Sequence, residues 1–121
     1  MENLGDEPTT IFGTVHGPGY SGGESISKMY ELTDSRFDTE FHVFGIEWSP
    51  GRINYYVDDQ LYNSITPETI AEETDGQGTW VFDHPFYIIM NVAVGGNLPG
   101  NPDANTTFPQ RMFVDYVRVY N

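Results

Sequence analysis

Three histidines and a surplus of carboxylates are the groups in this chain that could do chemistry. The 18 Asp and Glu residues offer many carboxylate pairs, but most acids on such a surface are simply solvated. Asp58-Asp59 reads as a turn, and Glu72-Glu73 as the exposed end of a short helix. Neither makes a convincing acid/base pair. His16 stands apart, because it ends a strand-like run just before Gly17-Pro18-Gly19-Tyr20. A strand end beside a Gly-rich loop is a common place for a ligand-binding side chain. The plain alternative is a histidine packed against the loop backbone. His42 and His84 are weaker candidates, and the three histidines lack a metal spacing such as H-x-x-x-H, so zinc is not expected. Asn101-Pro-Asp103-Ala-Asn105 starts like a calcium loop. Thr106 then stands where that loop needs Gly, and Met112 where it needs Glu. Asn105-Thr106-Thr107 is a glycosylation sequon, meaningful only in a eukaryotic secretory host. Asp115 lies mid-strand between Val114 and Tyr116, where Asp has poor propensity. Either it faces solvent or it binds something that needs an oxygen ligand. Trp48, Trp80 and the tyrosines are either sugar-stacking platforms or the filling of a β core.

Composition narrows the ligand. The chain has 121 residues, room for one domain. Five Lys and Arg against 18 Asp and Glu give a net charge of −13. That argues against nucleic acid, whose binding draws on clustered basic residues, and against anionic membranes. A neutral ligand fits best. Cysteine is absent, so neither a disulfide nor a thiolate metal site is available. No apolar run approaches the roughly 18 residues of a membrane span. The first residues, MENLGDEPTT, contain no basic n-region and no apolar h-region, so no signal peptide is expected in this chain.

Elements follow from the turn clusters. The chain holds 13 Gly, 8 Pro and 18 aromatic rings (2 Trp, 8 Tyr, 8 Phe), a composition of short strands and tight turns. Strands are expected at Thr9–Val15, Ser25–Leu32 and Glu40–Trp48. Arg52–Val57 and Gln60–Ile65 read as a hairpin turning at Asp58-Asp59. Thr66–Thr74 is the one helix-like piece, with Thr66 as cap and Pro67 in the first turn. Phe86–Val94 (FYIIMNVAV) reads as a strand buried on both faces, and Met112–Tyr120 as a closing strand. Glu2 reads as the edge of a turn, with no strand before Thr9. Six or seven short strands indicate a β-sandwich or barrel.

Four stretches, taken in order, are similar to one known family. They are MENLG (1–5) leading into GTVHGPGYSGG (13–23), FHVFGIEWSPGRINYYVDDQLY (41–62), WVFDHPFYIIMNVAVGGNLPGNP (80–102) and FVDYVRVY (113–120). Together they resemble the laminarinase-like, endo-β-1,3-glucanase branch of glycoside hydrolase family 16, over almost the whole chain. The resemblance implies an all-β fold, a β-jelly-roll sandwich with a glucan-binding cleft. Residues 1–121 would be the C-terminal portion of one catalytic domain that needs N-terminal strands to complete it. The family signature is E-x-D-x-x-E on one strand, where residues i and i+2 share a face and a β-bulge lets i+5 rejoin it. The first Glu is the nucleophile, the Asp tunes its neighbours, and the last Glu is the acid/base. Glu2 falls on that last Glu, so the nucleophile and the Asp would lie before Met1.

By resemblance, then, this is part of a retaining endo-β-1,3-glucanase, active only with an N-terminal chain and secreted. Alone it would lack the two carboxylates, about 5–5.5 Å apart, of a double displacement. His16 matches a cleft histidine. Asn91 lies on the strand feeding a loop at the cleft rim, where Leu98 stands in place of a tryptophan found in many relatives. Trp48 matches a strand tryptophan whose side, cleft or core, alternation alone does not decide. Asp115 matches an Asp that binds a structural Ca²⁺. The rival readings are a β-glucan-binding protein without catalysis and an inactive fragment.

Overall fold

The computed structural model describes every residue, Met1–Asn121, and divides into two units, Met1–Phe86 and Tyr87–Asn121. The first unit is built from two three-stranded antiparallel sheets. Strands β1 (Glu2–Leu4), β2 (Glu7–Val15) and β3 (Ile26–Glu31) form one, in that order. Strands β4 (Phe44–Ser49), β5 (Arg52–Val57) and β6 (Gln60–Ile65) form the other. Alternation decides which side chains go inward. Ile11, Val15 and Ile26 from the first sheet meet Ile53, Tyr55, Val57 and Ile65 from the second in one buried cluster. Two polar bonds cross it. The Tyr55 hydroxyl donates to the Thr14 carbonyl at 3.0 Å, and Asn63 Nδ2 donates to the Gly13 carbonyl at 3.0 Å. Burial and proximity to Tyr62 push the Tyr55 phenol up to about 12, so it remains a donor.

The β5–β6 hairpin turns at Asp58-Asp59, as the sequence predicts. Both residues sit at positive φ, 47° and 66°. Asp58 is tied down on three sides. Its N–H donates to the Val43 carbonyl, its Oδ1 accepts from the Val43 N–H, and its Oδ2 lies 2.7 Å from His42 Nδ1. Helix α1 (Pro67–Glu73) starts where expected: the Thr66 side chain accepts from the Thr69 N–H, and Pro67 opens the first turn. Ile70, 1% exposed, fixes the helix to the core.

Two expectations for the strands are corrected. Glu2 is in a strand after all, since β1 pairs with β2. Its three residues are too few to show a period. Conversely, neither Phe86–Val94 nor Met112–Tyr120 forms a strand. Within Tyr87–Asn121 the only backbone bond outside regular elements runs from Thr106 N–H to the Asp103 carbonyl. Ile88, Ile89, Met90 and Val92 are exposed, as are Phe113, Val117 and Tyr120. A ladder needs a neighbour for its N–H and C=O groups, and these segments have none in this chain.

Candidate functional site

Register places Glu2. It lies opposite Phe12 on β2, and Phe12 lies opposite Met29 on β3. Cross-strand partners share a face, so Glu2, Phe12 and Met29 form one row across the sheet. Ile11 and Val15 point to the other face, into the core. The row therefore faces outward, and both Glu2 and Met29 are exposed. Thr14 and Ser27 make the next row, joined by a hydroxyl bond of 2.8 Å. The register shifts between Asn3 and Leu4, one residue beyond Glu2, and Leu4 is buried. His16 follows β2 directly, two residues beyond Thr14, and is exposed. It stands roughly 13 Å along the strand from the point opposite Glu2. Glu2, opposite the middle of β2, and His16, just past its C-terminal end, thus lie along the same sheet. One exposed carboxylate can give or take a proton, but a second is needed for nucleophilic displacement.

Trp48 is elsewhere. It pairs with Ile53 across β4 and β5, so it lies on the side of that sheet which faces the core. Its Nε1 donates to the Phe82 carbonyl at 2.7 Å, and Phe86 meets it edge-on at 5.6 Å. The ring is still 46% exposed, because β4 is an edge strand and nothing in the sheet lies beyond it. On the opposite side of β4, Glu47 accepts from the Tyr56 hydroxyl and from Asn54 Nδ2. Those donors hold its carboxyl below the usual range. His42 has a structural setting: its side chain is 6% exposed, bound to Asp58 and edge-on to Phe37 at 5.0 Å. His84 stacks on Phe86 at 4.3 Å.

In the second unit, Asn91 and Asp115 are both exposed. Asp103 Oδ1 accepts from the backbone N–H groups of Asn105 and Thr106, so the calcium-like loop spends that oxygen on its own turn. No group of three or more His, Asp or Glu side chains is placed to hold an ion. Calcium takes six to eight oxygens, so Asp115 by itself does not make a calcium site.

The geometry defines an all-β sandwich with a lone candidate acid on an outward sheet face. The model for glycosyl hydrolases family 16 matches residues 1–118, and the chain belongs to that family. It is 38% identical over 121 residues to a beta-glucanase from Rhodothermus marinus, covering 99% of this chain and 42% of the relative. It superposes on the catalytic domain of an endo-1,3-beta-glucanase (laminarinase) from Thermotoga petrophila RKU-1 with a TM-score of 0.81 and 48% identity. That match covers 88% of this chain and 42% of the solved one. An endo-beta-1,3-glucanase from Pyrococcus furiosus gives 0.80 at 54% identity, with 88% and 40% covered. The β-jelly-roll class implied by the resemblance holds, and the chain spans less than half the length of these proteins.

Proposed function

We propose that residues 1–121 form the C-terminal portion of a retaining endo-β-1,3-glucanase domain, completed by an N-terminal chain that carries the nucleophile and the assisting Asp. The observation that carries this reading is the outward row at Glu2, with the exposed His16 about 13 Å along the same sheet, in a chain of family 16. In this reading Glu2 protonates the leaving glycosidic oxygen and then takes a proton from the attacking water. The nucleophile from the complement opens the sugar–oxygen bond and is released when that water attacks. His16 and Asn91 contact the glucan. Trp48, turned toward the core side, contributes to the site only if the complement leaves its exposed edge open. The substrate is a neutral β-glucan, in keeping with a net charge of −13. Secretion belongs to the same reading, as the family resemblance implies. Asp115 offers one carboxylate to a structural calcium whose other ligands come from the complement; a melting temperature unmoved by chelator would remove calcium from the reading.

The test is laminarin hydrolysis by this chain mixed with an N-terminal chain ending in an E-x-D-x strand. Activity is expected from the mixture and from neither part alone. Glu2→Ala should lower it by roughly 10²–10⁴-fold. Substrates with very good leaving groups should still form the covalent intermediate, and added azide should then give the β-glycosyl azide. Near-normal laminarin hydrolysis by the Glu2→Ala mixture would overturn the role of Glu2. Glucan binding by the mixture without any hydrolysis would favour the non-catalytic reading.

A further inference from the structure

A residue four positions beyond the exposed His16 is among the most buried in the molecule: Tyr20 is 0% exposed. Gly17 and Tyr20 exchange both backbone bonds, at 2.9 and 3.0 Å, closing a two-residue turn over Pro18-Gly19. Gly19 has φ 87°, and Pro followed by a residue at positive φ is the type II turn signature. Side chains are excluded here by contact as well. A Cβ on Gly17 would lie 2.4 Å from the Tyr20 ring, and one on Gly19 would lie 2.6 Å from the Gln77 carbonyl.

The turn is clamped to the segment leaving α1. The Tyr20 hydroxyl donates to the Thr79 carbonyl at 2.9 Å, and the Thr79 N–H donates to the Pro18 carbonyl at 3.1 Å. Both backbone groups of Thr79 are thus committed to the His16 turn. Thr79 is itself held from below. Gly78 N–H donates to Thr74 Oγ1 at 2.7 Å, and that hydroxyl donates to the Ile70 carbonyl at 2.6 Å. The path runs from a core isoleucine through the end of α1 to the backbone under His16. Loops after strand ends are ordinarily the mobile parts of a fold. A buried phenol also needs a partner, and burial pushes the Tyr20 hydroxyl up, so it stays a donor.

We infer that Tyr20 is a positioning residue for glucan binding, fixing the backbone that presents His16 to the sugar. The inference rests on the reading of His16 as a glucan contact. A binding group must be held within about 0.5 Å of its productive place, and the Tyr20–Thr79 clamp supplies that precision at a strand end. In contrast to His16, Tyr20 touches no substrate.

A double-mutant cycle in the complemented domain tests this, with KM and kcat for laminari-oligosaccharides measured separately. Tyr20→Phe keeps the ring and deletes the bond to Thr79. It should raise KM about tenfold, with kcat within about twofold. His16→Ala should lower kcat/KM as well, and adding Tyr20→Phe to it should cost nothing further. Gly17→Ala, whose methyl meets the Tyr20 ring, should reproduce the KM effect. An unchanged KM in Tyr20→Phe overturns the inference. So does an equal loss in the His16→Ala background, since Tyr20 would then act only on the fold. If His16→Ala alone leaves kcat/KM intact, the reading of His16 fails first and takes the inference with it.

Discussion

Arg52–Val57 and Phe86–Val94 are both strand-like on paper, yet only the first becomes a strand. Arg52–Val57 is flanked by β4 and β6, which take its backbone bonds on both sides, and Ile53, Tyr55 and Val57 drop into the core. Phe86–Val94 is the more apolar of the two, and Phe86, Ile89 and Val94 are more than half exposed. Hydrophobicity says that a segment wants cover. Only a neighbour with free donors and acceptors turns that into a ladder.

The sharpest way to break this comparison is to supply the neighbour. In the chain alone, amides of Arg52–Val57 should exchange slowly and those of Ile88–Val94 fast. Addition of the N-terminal complement should slow the second group by roughly a thousandfold. Equal protection of both segments in the chain alone would show that Phe86–Val94 finds its own partner.

Truncating one isoleucine from each region gives the next largest effect. Ile65 is 1% exposed and Ile89 is 69% exposed. Ile65→Ala should destabilise the chain by about 2–5 kcal/mol, through lost transfer energy and the cavity left behind. Ile89→Ala should stay within about 0.5 kcal/mol until the complement is added. Similar urea midpoints for the two variants would contradict the division.

The smallest effect concerns pH within the folded sheets. Burial opposes a charge on His42, but Asp58 and the Arg36 carbonyl outweigh it and raise the ring above its ordinary 6.5. Its stabilisation is therefore complete below pH 6.5 and lost as pH rises through the folded value. Burial likewise opposes the Asp58 charge, and the His42 and Val43 bonds win, holding it below 3.8. Its stabilisation is present above 3.8 and lost as pH falls through the lower folded value. Asp58 is 46% open to water, so the pair should contribute less than about 1 kcal/mol. The gap in urea midpoint between the native chain and His42→Gln should narrow from pH 6 to pH 9. A gap independent of pH would show the pair to be electrostatically silent.

Local chemistry was the legible part of the sequence. The Asp58-Asp59 turn, the hairpin around it and the Thr66-Pro67 start of α1 all follow from short-range rules. Strand β4 was half legible. In EFHVFGIEW the apolar positions Phe41 and Val43 change phase at Phe44, Ile46 and Trp48. The strand starts at Phe44, where the second phase begins. Counted from there, alternation sets Trp48 with Phe44 and Ile46 on one side and Glu47 on the other. Read from Glu40, it gives no answer. The outward row at Glu2 was illegible without register, because the pairing shifts between Asn3 and Leu4, one residue beyond it. Tyr20 was hidden because its partner, Thr79, is 59 residues distant. Pro18-Gly19 announced a turn, but nothing local told what held it.

The turn at Asp58-Asp59 carries a consequence for how this sequence can vary. A two-residue hairpin with both residues at positive φ is best served by Asn-Gly, and aspartate in the left-handed region is a poorer choice for the backbone. Position 58 is occupied for its side chain, which gathers His42 and Val43 before β4 begins. Position 59 has no such contact. Substitution is therefore asymmetric across the pair. Glycine at 59 relieves a backbone constraint and sacrifices nothing, whereas glycine at 58 relieves the same constraint and releases the chain entering β4.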